Sequence, residues 1–131
     1  MEKPEDNQPS PEGTLSMRLI PARAECNLHG DISGGWVVAQ MDHAAEELAS
    51  RLAHGRIANV AMESLVFMSP IRVGASVSVY TRLLDVGSSS IRIAVEVWTR
   101  NHSESQHRKV VDAVFVYVAI DSHGRIRKVP R

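Results

Sequence analysis

The apolar side chains of this 131-residue sequence change period once, and that change leaves few folds open. Over residues 36–52 they recur at helical spacing. At about 100° per residue, Val37, Val38, Met41, Ala44, Ala45, Leu48, Ala49 and Leu52 fall on one arc, with His43, Glu46, Glu47, Ser50 and Arg51 opposite. His54-Gly55 is the expected stop, glycine suiting a left-handed cap. Beyond it the period is two, in long Val- and Ile-rich runs at 57–67, 77–84, 91–98 and 110–120. Ile91, Ile93, Val95 and Val97 alternate with Arg92, Ala94, Glu96 and Trp98, the pattern of a strand with one core face. The last run is apolar on both faces, so it belongs in the sheet interior or in a subunit contact. Turn residues separate the runs at 69–74, 85–89, 101–107 and 121–124. One long helix followed by antiparallel strands predicts an α+β domain, the helix packed on a curved sheet.

A short strand is expected at 15–20, stopped by Pro21. Residues 1–13, rich in Pro, Glu, Asp, Asn and Gln, lack the apolar surface to offset ordering and read as a disordered tail before a single domain at 14–131. Fifteen basic and fifteen acidic residues cancel, so charge argues for neither a nucleic-acid nor a membrane partner. No apolar run approaches the length of a membrane span, and no signal-peptide pattern opens the sequence. The single cysteine, Cys26, excludes an internal disulfide framework and suits a reduced, cytoplasmic setting. A chain this short has little material to enclose a site by itself, which favours a site at a subunit interface.

Asp42 breaks the helical pattern. It projects inside the apolar arc, between Ala49 and Ala53, where a carboxylate is costly unless something there requires it. Upstream, Gly34 and Gly35 open the same helix, leaving backbone N–H groups bare and approachable at its positive end. Such donors suit a developing oxyanion or a thioester carbonyl, so donors and carboxylate together form a candidate acyl-transfer site. Plainer readings fit the same residues. Asp42 would be a helix-edge carboxylate bonded to sheet backbone, the glycines would let helix approach sheet, and Asn27 would bond its own loop.

The blocks Asn27-Leu28-His29-Gly30-Asp31, Gly34-Gly35-Trp36, Gln40-Met41-Asp42, Glu96-Val97-Trp98 and the run from Ala113 through Asp121 to Gly124-Arg125 resemble, in order and spacing, bacterial YciA-type acyl-CoA thioesterases. These are hotdog-fold enzymes related to larger cytosolic acyl-CoA hydrolases, and the resemblance covers about residues 15–131. It implies that Asp42 is the catalytic helix carboxylate. It implies that Asn27 faces the Asp of a neighbouring unit, and that Gly34 and Gly35 polarise the thioester carbonyl. It further implies a homodimer with acyl-CoA in the cleft between subunits, assembled as a trimer of dimers. Asp42 would act as general base on water, or attack directly to give a mixed anhydride.

CoA carries phosphates, so cations at strand ends are candidate contacts: Arg100 and Arg108, with Arg56, Arg72 and Lys109. The turn Gly87-Ser88-Ser89-Ser90 offers backbone and hydroxyl donors for the same ligand. No histidine or cysteine has zinc-ligand spacing, and no cofactor beyond the CoA of the substrate is expected. The chain departs from the family pattern at Glu25-Cys26 (usually Asp-Thr), at Ser33 (usually a large aromatic) and at Ser69 (usually Lys or Arg). The 87–90 turn also lacks the usual Arg or Thr. Loss of the aromatic at Ser33 means chain-length preference does not carry over, and the lost basic residues weaken or move the expected contacts to the CoA phosphates. Two alternatives stand beside hydrolysis. One is a hotdog hydratase or dehydratase, of which His29-Gly30 is a faint echo; the other is a non-catalytic acyl-CoA-binding module.

Overall fold

The computed structural model describes residues 9–101, 103 and 105–131. Of the expected tail, residues 1–8 lie outside the described residues. Residues 9–13 form neither helix nor strand, and Glu12 pairs with Arg82 at 3.1 Å. The chain then forms β1 (Thr14–Leu19), a 3-10 turn (Arg23–Glu25), α1 (Gly34–Ala53), β2 (Ile57–Phe67), β3 (Ser76–Val86), β4 (Ser90–Arg100) and β5 (Arg108–Ala119). The strands make one antiparallel sheet in the order β1-β3-β4-β5-β2, with α1 packed on one face.

The helix begins two residues before the apolar periodicity because Ser33 caps it, its side chain accepting from the Trp36 N–H. Its end corrects the expected cap. His54, not Gly55, takes the left-handed conformation at φ 54° and ψ 42°, while Gly55 stands at φ 152°. Two successive positive-φ residues are needed here. An L-residue tolerates the left-handed well, so glycine takes the position further from any L-residue minimum. The Gly55 N–H donates to Ser50 O at 3.1 Å, and the Arg127 guanidinium donates to Ala53 O at 2.9 Å. With the His54 N–H donating to Arg51 O at 3.3 Å, three of the last four helix carbonyls are thereby satisfied.

Val37, Met41, Ala45, Ala49 and Ala53 of α1 are buried against Ile91, Ile93, Val95, Val97, Phe115 and Tyr117. Alanine along the contact lets the helix lie close to the sheet. The far face of β4 is more covered than simple alternation predicts. Glu96 and Trp98 are buried there, the indole Nε1 donating to Glu96 Oε1 at 2.8 Å and the indole ring lying 4.9 Å from the His107 ring at a tilt of 44°. β5 lies inside the sheet between β4 and β2, in line with its two apolar faces.

β2 is an edge strand, irregular in register between Asn59 and Ala61 and between Glu63 and Val66. It exposes Val60, Met62, Val66 and Phe67, with Met68 just beyond. A row of large apolar side chains on an open sheet edge is a surface made to be covered. No helix among the described residues is long and apolar enough to cross a membrane.

Candidate active site

Asp42 is half-buried where α1 crosses β5 and β2. Tyr117 and Asn59 are register partners across those two strands, so their side chains stand together on the face beneath the helix. The Tyr117 hydroxyl donates to Asp42 Oδ1 at 2.6 Å and lies 3.3 Å from the Asp42 carbonyl oxygen. The Asn59 amide donates to the same Oδ1 at 3.1 Å. Among the described residues nothing donates to Oδ2. Burial, reinforced by the bond to Asp42, pushes the Tyr117 hydroxyl well above its usual range. The outlier on the apolar arc is thus held by two sheet side chains, not by sheet backbone.

At the start of α1, Ser33 Oγ accepts from the Trp36 N–H at 3.3 Å and Ser33 O from the Val37 N–H at 3.2 Å. The Gly34 and Gly35 N–H groups have no acceptor among the described residues, and both glycines are exposed. Neither glycine is demanded by its own chain. A Cβ at Gly34 would sit 3.6 Å from the Phe67 ring, and one at Gly35 would sit 3.6 Å from Ser33 Oγ, both ordinary contacts. Close approach of helix to sheet therefore does not account for the pair.

Gly35 and Asp42 lie on nearly the same side of α1, seven residues or about 10 Å apart along its axis. A carbonyl held by the glycine N–H groups is therefore out of reach of the same chain's Asp42, since both must stand within about 3 Å of the reacting atoms. Among the described residues Asn27 makes no bond to that carboxylate. Its Oδ1 accepts from the His29 N–H at 2.8 Å and the Asp31 N–H at 3.1 Å, closing its own loop. Its exposed amide nitrogen has no acceptor among the described residues. Arg72 ties this loop down through Asp31 Oδ1 at 2.7 Å and His29 O at 2.9 Å.

The other CoA candidates do not converge in one chain. At the Gly87-Ser88-Ser89-Ser90 turn, the Ser88 carbonyl accepts from the Val129 N–H and the Gly87 carbonyl from Arg131. Arg100 lies at the far end of β4, ten residues or about 33 Å of strand from Ser90, and Arg108 sits beside it, opposite Thr99. Arg100 borders a hollow of about 290 Å³ with Arg18, Ser78, Thr99 and His107. Arg56 donates to the carbonyls of Asp121 and Ser122, and Lys109 pairs with Asp112 and Glu96. A larger groove, about 740 Å³, lies between β1 and the opposite side of α1 from Asp42. No three His, Cys, Asp or Glu side chains among the described residues gather as metal ligands.

The sequence reading missed Asn59 and Tyr117. Their signal was present: each is a polar group with apolar neighbours on both sides in its strand, as Asp42 is a polar group on its helix arc. What joins the three is the strand order.

Residues 29–105 match the family model described as the thioesterase superfamily. An uncharacterized acyl-CoA thioester hydrolase of Haemophilus influenzae is 44% identical over 123 residues, covering 92% of this chain and 80% of that one. The acyl-CoA thioester hydrolase YciA of Salmonella typhimurium is 39% identical over 124 residues, covering 92% and 93%. Among solved structures, a hexameric broad specificity acyl-coenzyme A thioesterase superposes with a TM-score of 0.87 at 43% identity, covering 95% of this chain and 86% of that one.

Proposed function

The chain belongs to the thioesterase superfamily and has its hotdog fold, and on that premise we propose that it hydrolyses acyl-CoA to a carboxylic acid and CoA at Asp42. The observation that carries the assignment is the carboxylate itself. One of its oxygens is tied by the buried Tyr117 hydroxyl and the half-buried Asn59 amide. Among the described residues the other oxygen has no donor, and the two glycine N–H groups at the start of the same helix have no acceptor.

As a general base, Asp42 takes a proton from water as the water adds to the thioester carbonyl. The oxyanion is received by the Gly34 and Gly35 N–H groups, and its collapse expels the CoA thiolate, which takes up the proton. As a nucleophile, Asp42 adds to the carbonyl and expels the thiolate, and water then hydrolyses the mixed anhydride. Single turnover in oxygen-18 water separates the two routes, because label in the Asp42 side chain marks the anhydride.

The distance of about 10 Å between donors and carboxylate along α1 supports a site completed by a second copy of the chain, at a subunit interface. The free amide of Asn27 and the exposed apolar edge of β2 supply groups for that pairing. The hexameric relative supports a trimer of dimers for this chain too. The 87–90 turn and the Arg100–Arg108 end serve one CoA only when different chains contribute them. No cofactor is required beyond the CoA of the substrate, and a free Cys26 suits a cytoplasmic reaction.

Hydration or dehydration would require a histidine facing the carboxylate, and within one chain the described partners of Asp42 are Tyr117 and Asn59, so crotonyl-CoA hydration is the assay that separates that reading. The test is purified protein with a panel of acyl-CoAs and a thiol-trapping readout. Parent protein releases CoA, and Asp42→Ala is slower by about a thousandfold with KM little changed. An Asp42→Ala protein as fast as the parent would place the chemistry elsewhere. CoA binding with no turnover of any thioester would make the chain a binding module.

A further inference from the structure

We propose that Tyr117 is a positioning residue for this hydrolysis: with Asn59 it pins Asp42 Oδ1 and so assigns the reaction to Oδ2. The inference rests on Asp42 being the reacting carboxylate.

A free carboxylate rotates about a broad, two-fold torsion and presents either oxygen. Here the two donors end on the same atom, the hydroxyl at 2.6 Å and the amide at 3.1 Å. The shorter contact falls in the range of an O–H donor on an ionised oxygen. Two acceptor directions of Oδ1 are thereby used, and Oδ2 is the oxygen left to meet water or the thioester.

The hydroxyl has no packing task that a phenyl ring would not fulfil. Phe115 occupies the preceding inward position of β5, fully buried and without a polar atom, whereas the equally buried Tyr117 carries an oxygen into the helix–sheet contact. A phenol oxygen at that depth is costly unless bonded, and its bond is to Asp42. Burial keeps Tyr117 protonated, so it donates and does not compete with Asp42 as a base. The hydroxyl also lies 3.3 Å from the Asp42 backbone carbonyl, so it addresses the residue's main chain as well as its carboxylate.

The test is a double-mutant cycle in the full-length assembly. Tyr117→Phe should lower kcat for acyl-CoA by at least about tenfold with KM changed less than about twofold. In an Asp42→Asn background the same substitution should leave the residual rate unchanged, because no reacting carboxylate remains to be aimed. Asn59→Leu should repeat the pattern with a smaller loss, and it carries the test alone if Tyr117→Phe does not fold. A parental kcat in Tyr117→Phe, or an equal fold-loss in both backgrounds, overturns the proposal. An Asp42→Asn protein at the parental rate instead overturns the assignment of Asp42, whatever Tyr117 does.

Discussion

Replacing Gly35 by alanine should make the protein more stable and nearly inactive. The added Cβ would sit 3.6 Å from Ser33 Oγ with no closer neighbour, and Gly35 is not among the positive-φ residues, so the chain admits it without strain. Alanine is favoured over glycine by up to about 1 kcal/mol within a helix, less in its first turn, so unfolding should shift up by about 1–3 °C. The methyl group meanwhile stands beside the exposed N–H groups that would receive the oxyanion. Losing one such donor lowers kcat by roughly 10²–10³-fold, or about 2.7–4 kcal/mol of transition-state stabilisation. Thermal melting at fixed protein concentration and the thiol-trapping assay read the two effects separately. Parental turnover in Gly35→Ala would remove these N–H groups from the chemistry. A loss of stability beyond about 1 kcal/mol would instead make the glycine a requirement of the fold.

Ser33→Ala removes the Trp36 N–H acceptor at the start of α1 and should cost about 1 kcal/mol in urea unfolding; no change would show the cap to be idle. Val60, 56% exposed on the β2 edge, should tolerate Val60→Asp in the fold of the chain while the assembly mass falls, as read by light scattering; an unchanged mass would exclude that edge from the contact. The Asp121 carboxylate is held below its usual range by the Arg125 N–H and then the His123 N–H. Its folded value lies below its unfolded one, so its contribution is complete above the ordinary carboxylate range and lost as pH falls through the folded value. The melting-temperature gap between parent and Asp121→Ala should therefore be full at neutral pH and narrow below about pH 4. A gap constant down to about pH 2 would exclude the ionised carboxylate as its source.

The helix and the long strands were legible because each is a long run of one period, with the largest discrepancies at their ends. Ser33 moved the helix start to Gly34, and the strands run on where pairing continues past the apolar residues, as β4 does to Arg100. The His54–Gly55 cap was misread because composition locates a turn without distributing its torsions. Burial of Glu96 and Trp98 was illegible, since Lys109 and His107 reach them only through the β4–β5 hairpin. Asp42 stood out on its helix arc, yet Asn59 and Tyr117 come from strands 17 and 75 residues further on. Their meeting depends on the register of an irregular edge strand. The CoA candidates were gathered as strand-end residues, and only strand direction shows that they occupy opposite ends. Asn27 shows a different limit: its Oδ1 closes its own loop, and among the described residues nothing accepts from its amide nitrogen.

Asp42→Ala and Gly35→Ala chains, unfolded together and refolded as a mixture, test most directly whether Asp42 acts at a site completed by a second chain. Each homogeneous protein should be nearly inactive. In the mixture about half the dimers pair one variant with the other, and each such dimer holds one site with both defects and one with none. The mixture should then recover about a quarter of the wild-type rate of CoA release. A mixture no faster than its parents would put the donors and the carboxylate in a single chain and contradict the account.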